Sequence, residues 1–249
     1  MTVRRALALV MGAVLCAGAS AGCAPGGGGA VPESDGAGGA ASRPASRAAT
    51  PPVDALPGVG PVMRSHLPAG TRQALVVEGT ATGSPRSSAV LYEKDPGRGW
   101  HAVGGPWPAH NGLRGWTHDH HAGDLRTPIG VFGLHDAGGR LPDPGSRLPY
   151  DQDPDFAISG TGHLGEPLEG SFDHVVAVDY NRLPGTTPLD RTRPLGAGRG
   201  GGIWIHVDHG GPTNACLTLR RDDMRTLLRT LDPAREPVVV MGPGPELAK

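Results

Sequence analysis

Residues 202–219, with the sequence GIWIHVDHGGPTNACLTL, contain two short runs of alternating apolar residues joined by a glycine-rich connection. Successive side chains of a strand point to opposite faces, so the first run places its aliphatic residues on one face: Ile203, Ile205 and Val207. In the second run the leucines face the core by the same rule. The pattern therefore predicts two neighbouring strands that present His206 and Cys216 together on the opposite, non-core face.

Cys216 is the one cysteine that lies beyond residue 23. A free cysteine can be an inert buried thiol, but a thiol with a histidine within hydrogen-bond reach becomes a nucleophile. Amides in the turn before it can stabilise a negatively charged oxygen. The sequence thus makes Cys216 a candidate nucleophile with His206 as its base, while an inert thiol and an intermolecular disulfide partner remain alternatives. His209 remains an alternative base, and a zinc site of His206, His209 and Cys216, with Asp208 as a further ligand, remains an alternative use of these residues.

Further apolar runs predict more strands, at residues 74–77, 89–92, 100–103, 127–134, 174–180 and 238–241. One helical face is formed by Met224, Leu227, Leu228 and Leu231. Acidic residues in the first turn of this helix suit its dipole, and Pro233 follows its end. We therefore expect a mainly β domain with one helix near the C-terminus.

The N-terminus has the organisation of a secretory signal, with Arg4 and Arg5 before an apolar run over 6–15 and small residues over 16–22. Ser20-Ala21-Gly22-Cys23 is similar to a bacterial lipobox, which predicts lipidation of Cys23 and a membrane anchor outside the cytoplasm. The Ala19-Ser20-Ala21 site would instead release a secreted protein. We predict a signal at 1–23, a disordered Gly/Ala/Pro/Ser tether at 24–70, a catalytic domain at 71–243 and a tail at 244–249.

Composition excludes a nucleic-acid partner, because charged residues make up 19% of the chain and the net charge is −1. A second histidine cluster, residues 118–121, is interpreted as a solvated loop, with substrate contact or metal binding as alternatives. Arginines before the central strand are candidates for contacts with substrate carboxylates: Arg191, Arg193 and Arg199. Trp204 is a candidate for the side of a substrate cleft.

Several of these segments together resemble the catalytic domain of L,D-transpeptidases, the YkuD type, in the branch with a short His-to-Cys loop. The segments are residues 202–207, Thr213-Asn214-Ala215-Cys216-Leu217, the Thr-Pro-x-Gly-x-Phe pattern at 127–132, Asp179-Tyr180-Asn181 and Leu231-Asp232-Pro233. The resemblance covers most of residues 75–242. It implies a β-sandwich or barrel-like fold and no metal or organic cofactor.

The resemblance also implies roles for individual residues. Cys216 would attack a peptidoglycan stem peptide, and His206, oriented by the Val207 carbonyl, would be its base. The amides of Ala215 and Cys216 would form the oxyanion site, and Thr213 and Asn214 would support the turn. Ala215 stands where the family has glycine, which would be costly if that position needs a positive φ, and Asn214 stands where a histidine is frequent.

The activity implied is a 3→3 cross-link formed through a Cys thioester. Alternatives are an L,D-carboxypeptidase on the same peptides, a sortase-like transpeptidase and a non-catalytic envelope-binding lipoprotein. Sortases also have Thr-x-x-Cys, but their histidine lies far upstream and an arginine lies on a later strand, whereas residues 238–241 contain no arginine.

Overall fold

A computed structural model describes residues 53–249 of the chain. The predicted signal at 1–23, with Cys23, and residues 24–52 of the predicted tether lie outside the described residues. Among the described residues, no helix has the length and apolar character needed to cross a membrane.

The described part of the chain is mainly β, which confirms the predicted class. The strands are β1 Gln73–Gly79, β2 Arg86–Asp95, β3 Gly99–His110, β4 Trp116–Thr117, β5 Thr127–Pro128, β6 Gly130–Gly133, β7 Ala137–Gly139, β8 Tyr150–Gln152, β9 Val175–Ala177, β10 Trp204–Val207, β11 Leu217–Leu219 and β12 Val238–Pro243. The α-helices are α1 Pro61–Arg64, α2 Arg221–Thr230 and α3 Gly244–Leu247. Short 3-10 turns cover Ala197–Arg199 and Pro233–Arg235.

Two five-stranded sheets form the body of the fold. The first has the order β3-β2-β1-β12-β6, with β1 parallel to β12 and antiparallel to β2. The second has the order β11-β10-β9-β7-β8, with β10 parallel to β11 and antiparallel to β9. The short strands β4 and β5 pair separately. Buried side chains from both large sheets belong to one hydrophobic core, so the fold is stabilised by packing between the sheets.

The strand parity predicted for residues 202–219 agrees with this core. Ile205 of β10 is level with Leu217 of β11, and both are buried. The helix also forms as predicted: α2 packs against β3 and β10 through its buried apolar face, Met224, Leu227 and Leu228. The parallel pair β10–β11 therefore has one face in the core and the other turned toward the cavities described below.

The predicted domain boundaries, 71 and 243, are wrong on both sides. Residues 53–70 are not tether, because Leu56, Val59 and Met63 are buried in the core. The final residues are not a free tail, because Leu247 in α3 is 1% exposed. The two ends are joined by backbone hydrogen bonds, from Gly60 N to Leu247 O at 2.7 Å and from Val62 N to Lys249 O at 2.9 Å. The folded unit includes both segments.

Candidate active site

The structure brings His206 and Cys216 to one surface. The register of β10 with β11 puts Cys216, just before β11, beside Trp204, and His206 lies two residues further along the same face. Both residues line a cavity of about 230 Å³. The alternation of apolar residues was therefore sufficient to predict this juxtaposition.

The surroundings of His206 define which ring nitrogen can act as a base. Its Nδ1 lies 3.0 Å from the Val207 carbonyl oxygen. A carbonyl only accepts, so Nδ1 must hold the proton and Nε2 is left with its lone pair. Burial lowers the pKa of His206 to about 4. The imidazole is consequently neutral near pH 7, with Nε2 as its basic atom.

The thiol of Cys216 is held by the backbone at the start of β10. It donates to the Gly202 carbonyl at 3.7 Å and accepts from the Trp204 amide at 3.4 Å. Burial raises the pKa of the Cys216 thiol to about 11, although the Trp204 N–H acts in the opposite direction. Within residues 53–249 no hydrogen bond joins the sulfur to an imidazole. The resting pair is a neutral thiol and a neutral imidazole.

The turn before Cys216 is fixed by hydroxyl groups that bind its carbonyls. Thr213 Oγ1 donates to Cys216 O at 2.6 Å, and Thr127 Oγ1 donates to Ala215 O at 2.9 Å. In the part of the chain that the structure covers, the amides of Ala215 and Cys216 donate to no protein oxygen. Two N–H groups beside the sulfur are thus available to a negatively charged oxygen.

Alanine in place of glycine at position 215 introduces no backbone strain. In residues 53–249, the non-glycine residues with positive φ are Leu125, Asn181 and Glu236. Neither Asn214 nor Ala215 is among them, so the turn does not need the conformation that favours glycine.

His209, the alternative base, lies within the site beside His206. Its ring stacks on that of His206, with 5.8 Å between centroids and 14° between planes, and it lines the same cavity. Its Nδ1 lies 3.0 Å from Glu166 Oε1. The connection after β10 therefore keeps the His209 ring at the cavity beside His206, and His209 stays an alternative base.

A loop over residues 158–168, which we call the cover loop, encloses this cavity. Its Glu166 binds His209, and its His163 Nε2 lies 3.1 Å from Asn214 Oδ1. Both contacts connect the loop to the segment between His206 and Cys216. Sequence reasoning missed the loop because its residues are mostly turn formers with no periodic pattern.

A second, larger cavity of about 1050 Å³ lies on the other side of Cys216. It is lined by Trp204, Ala215 and Arg193, among others, and Phe172, Asn214 and Cys216 line both cavities. The two cavities therefore adjoin at Cys216. The position of Trp204 agrees with the predicted side of a cleft.

Arg199, a candidate for contact with substrate carboxylates, lies away from both cavities. Arg199 pairs with Asp119 and lines neither cavity, whereas Arg191 and Arg193 line the larger one. The loop before β10 is held by Asn181, whose side chain donates to Gly196 O at 3.0 Å and to Gly200 O at 2.6 Å. Arg199 lies within this loop, between the two carbonyls that Asn181 binds.

The histidines at 118–121 do not behave as one solvated group. His120 is 3% exposed, packs edge-on against Tyr180 and lines the larger cavity, which contradicts a fully solvated loop. His118 pairs with Glu246. Burial lowers the pKa of His120, although Asp124 acts in the opposite direction.

The zinc alternative lacks an assembled ligand set. In residues 53–249, the one group of three donors within 4.8 Å of one another is Glu93, Asp95 and His101, far along the chain from Cys216. Arg235 pairs with both carboxylates of that group, at 3.4 and 3.1 Å, and so supplies the positive charge that a cation would bring.

A partly buried polar cluster lies next along the chain to Val207, whose carbonyl orients His206. Thr218 Oγ1 and His110 Nδ1 both bind Asp208 Oδ1, at 2.6 and 2.8 Å. Burial opposes ionisation of Asp208, yet these two bonds lower its pKa to about 2. The cluster joins the ends of β3, β10 and β11 and fixes the backbone next to Val207. No periodic pattern marks this cluster in the sequence, because His110 is distant along the chain from Asp208 and Thr218.

Comparison with models of known families, with curated proteins and with solved structures found no match to this chain.

Proposed function

We propose that this chain is a cysteine acyltransferase of the L,D-transpeptidase type that acts on peptidoglycan stem peptides. The observation that supports it most is the arrangement around Cys216: a basic Nε2 on the same face, two free amides beside the sulfur and a cavity on either side. An inert buried thiol would need none of these features.

The fold is compatible with this proposal. The L,D-transpeptidase resemblance implies a sandwich-like or barrel-like β domain, and two five-stranded sheets here share one core. The resemblance also assigns the base and the nucleophile to adjacent strands, as β10 and β11 are. On these grounds we also propose that the chain has the sandwich-like or barrel-like L,D-transpeptidase fold that the resemblance implies.

In the first half-reaction the thiol turns from Gly202 toward Nε2 of His206 and gives up its proton. The sulfur attacks the peptide carbonyl, and the amides of Ala215 and Cys216 bind the developing oxyanion. A C–S bond forms, the C–N bond to the terminal residue breaks, and the proton passes from Nε2 to the leaving amine. A thioester and a free D-amino acid result.

In the second half-reaction a side-chain amine of another stem peptide attacks the thioester. An N–C bond forms, the C–S bond breaks and the proton from the amine returns through Nε2 to the sulfur. Water in place of the amine would make the same site an L,D-carboxypeptidase. The two cavities that meet at Cys216 favour the amine, because they provide room for two peptides.

The proposal is tested with the full chain and a disaccharide tetrapeptide, by analysing products for the 3→3 dimer. We expect Cys216→Ala to abolish the dimer and the adduct with a carbapenem. An unchanged product profile would favour the non-catalytic envelope-binding alternative, and acceptance of a sorting-signal peptide instead would favour the sortase-like one. Inactivation by EDTA with rescue by zinc would contradict the metal-free mechanism.

The base is identified by separate substitutions. His206→Asn keeps an N–H that can donate to the Val207 carbonyl but removes Nε2, so we expect the rate of thioester formation to fall about 100-fold or more. His209→Asn is the matched variant for the alternative base, and a larger loss there than at position 206 would reverse the assignment.

We also propose that the enzyme acts outside the cytoplasm and is anchored by a lipid on Cys23. Incorporation of a labelled fatty acid into the full chain, lost in Cys23→Ala, tests the anchor. Release of an unlabelled protein cleaved after Ala21 would support the secreted alternative.

A further inference from the structure

Arg193 is a guanidinium without an acidic partner in the larger cavity beside Cys216. It is half-buried, and its Nη1 donates to two backbone carbonyls, Asp190 O at 3.1 Å and Thr192 O at 2.9 Å. Among residues 53–249 no carboxylate lies within 4.0 Å of it. The nearby Asp190 carboxylate instead accepts from the Thr192 amide at 2.6 Å. The remaining guanidinium N–H groups therefore lack an anion.

Two glycines allow this side chain to approach the nucleophile. A Cβ at Gly201 would lie 2.4 Å from Arg193 Nε, and a Cβ at Gly202 would lie 3.2 Å from Arg193 Nη2. Both glycines have positive φ, 137° and 67°. The carbonyl of Gly202 is also the acceptor for the Cys216 thiol. Gly202 thus lies between the guanidinium of Arg193 and the sulfur of Cys216.

The charge around the cavity favours an anion. Its lining includes Arg191 and Arg193 against one carboxylate, that of Asp155. Burial lowers the pKa of Arg193, the charge of Asp190 opposes this, and the positive charges of Arg182 and Arg191 lower it further. A carboxylate ligand would compensate this positive charge and would accept two parallel N–H bonds from the fork of the guanidinium.

We infer that Arg193 is a specificity-determining residue that binds the C-terminal carboxylate of the acyl donor. This inference rests on the proposed function. In the first half-reaction the scissile carbonyl is at Cys216, and the free carboxylate lies on the residue that leaves. The chemistry of the site therefore selects donors that end in a free carboxylate and places the donor in the larger cavity.

The test compares two stem tetrapeptides, one with a free C-terminal carboxylate and one with a carboxamide. The full chain is mixed with each peptide, and kcat/KM for thioester formation is measured by intact-protein mass spectrometry. We expect the wild type to prefer the carboxylate by about 10- to 100-fold, as for one bidentate charged contact. Arg193→Gln should reduce the preference to near unity, and Arg193→Lys should retain part of it.

The ratio of the two rates separates specificity from damage to the loop, because a distorted site would slow both peptides alike. Arg98→Gln, on an exposed turn, is the matched control and should keep the wild-type ratio. Equal rates with both peptides in the wild type, or an unchanged preference in Arg193→Gln, would overturn the inference and leave the proposed function intact. Thioester formation with neither peptide would overturn the proposed function and this inference with it.

Discussion

The thiol of Cys216 and the imidazole of His206 are both uncharged at neutral pH, because burial raises the pKa of the first and lowers the pKa of the second. Cysteine enzymes with a preformed thiolate–imidazolium pair have the opposite shifts. In the proposed mechanism the nucleophile is therefore formed when the proton is transferred during attack. This arrangement protects the thiol from reaction in the absence of substrate.

Alkylation of Cys216 tests this state of the thiol. We expect slow reaction with iodoacetamide at pH 7 and a rate that rises with pH through an apparent pKa above 9. The measurement is peptide-resolved mass spectrometry, which distinguishes Cys216 from Cys16 and Cys23. Rapid alkylation with an apparent pKa below 7 would show a preformed thiolate and contradict the neutral pair.

The buried neutral His206 also makes stability depend on pH. The unfolded residue, with a pKa near 6.5, binds a proton that the folded residue, with a pKa of about 4, does not bind. The contribution of neutral His206 to the free energy of unfolding is complete above pH 6.5 and is lost as the pH falls toward 4. Between pH 7 and pH 5 it should lower the free energy of unfolding by about 2 kcal/mol.

His206→Asn isolates this contribution from those of other histidines. Urea unfolding of both proteins at pH 7 and pH 5 should show a smaller pH-dependent loss in the variant. An equal loss in both proteins would place the acid sensitivity elsewhere, for example at His120 or His174, whose pKa values are also lowered by burial.

At the scale of elements, the strands within residues 202–219 and the helix α2 could be predicted from the sequence. In each of them apolar residues recur with a regular period, and the apolar face packs on the core. The strand β7 could not be predicted, since two of its three residues are glycine. The packed segment 53–70 was missed because glycine and proline separate its three core residues. Its helix α1 is only four residues long and has no amphipathic period of its own.

Substitution at Leu56 tests whether this segment belongs to the fold. Leu56 is 1% exposed, so Leu56→Ala should lower the free energy of unfolding by about 2–5 kcal/mol. Val62→Ala is the matched control, because Val62 is 56% exposed and its loss should cost about 0.5 kcal/mol or less. Similar unfolding curves for Leu56→Ala and the wild type would show that residues 53–70 do not contribute to the folded core and belong to the tether.

On the scale of the whole molecule, the site depends on contacts between segments distant in sequence. The cover loop, the cluster of Asp208 with His110 and Thr218, and the arginine beside Gly201 and Gly202 all assemble around β10 and β11. Sequence patterns located the proposed nucleophile and base because His206 lies on β10 and Cys216 directly precedes β11, and both segments have clear alternation. They did not locate the cavities, because a cavity is a property of how the loops pack.

The proposed mechanism requires a thioester at Cys216, and intact-protein mass spectrometry detects that thioester most directly. The full chain is mixed with a stem tetrapeptide, quenched in acid within seconds and weighed. We predict a mass increase equal to the mass of the tetrapeptide minus that of the released terminal amino acid, mapped to Cys216, removed by hydroxylamine and absent in Cys216→Ala. A wild type that forms product without this adduct, or a Cys216→Ala variant that still forms 3→3 cross-links, would contradict it.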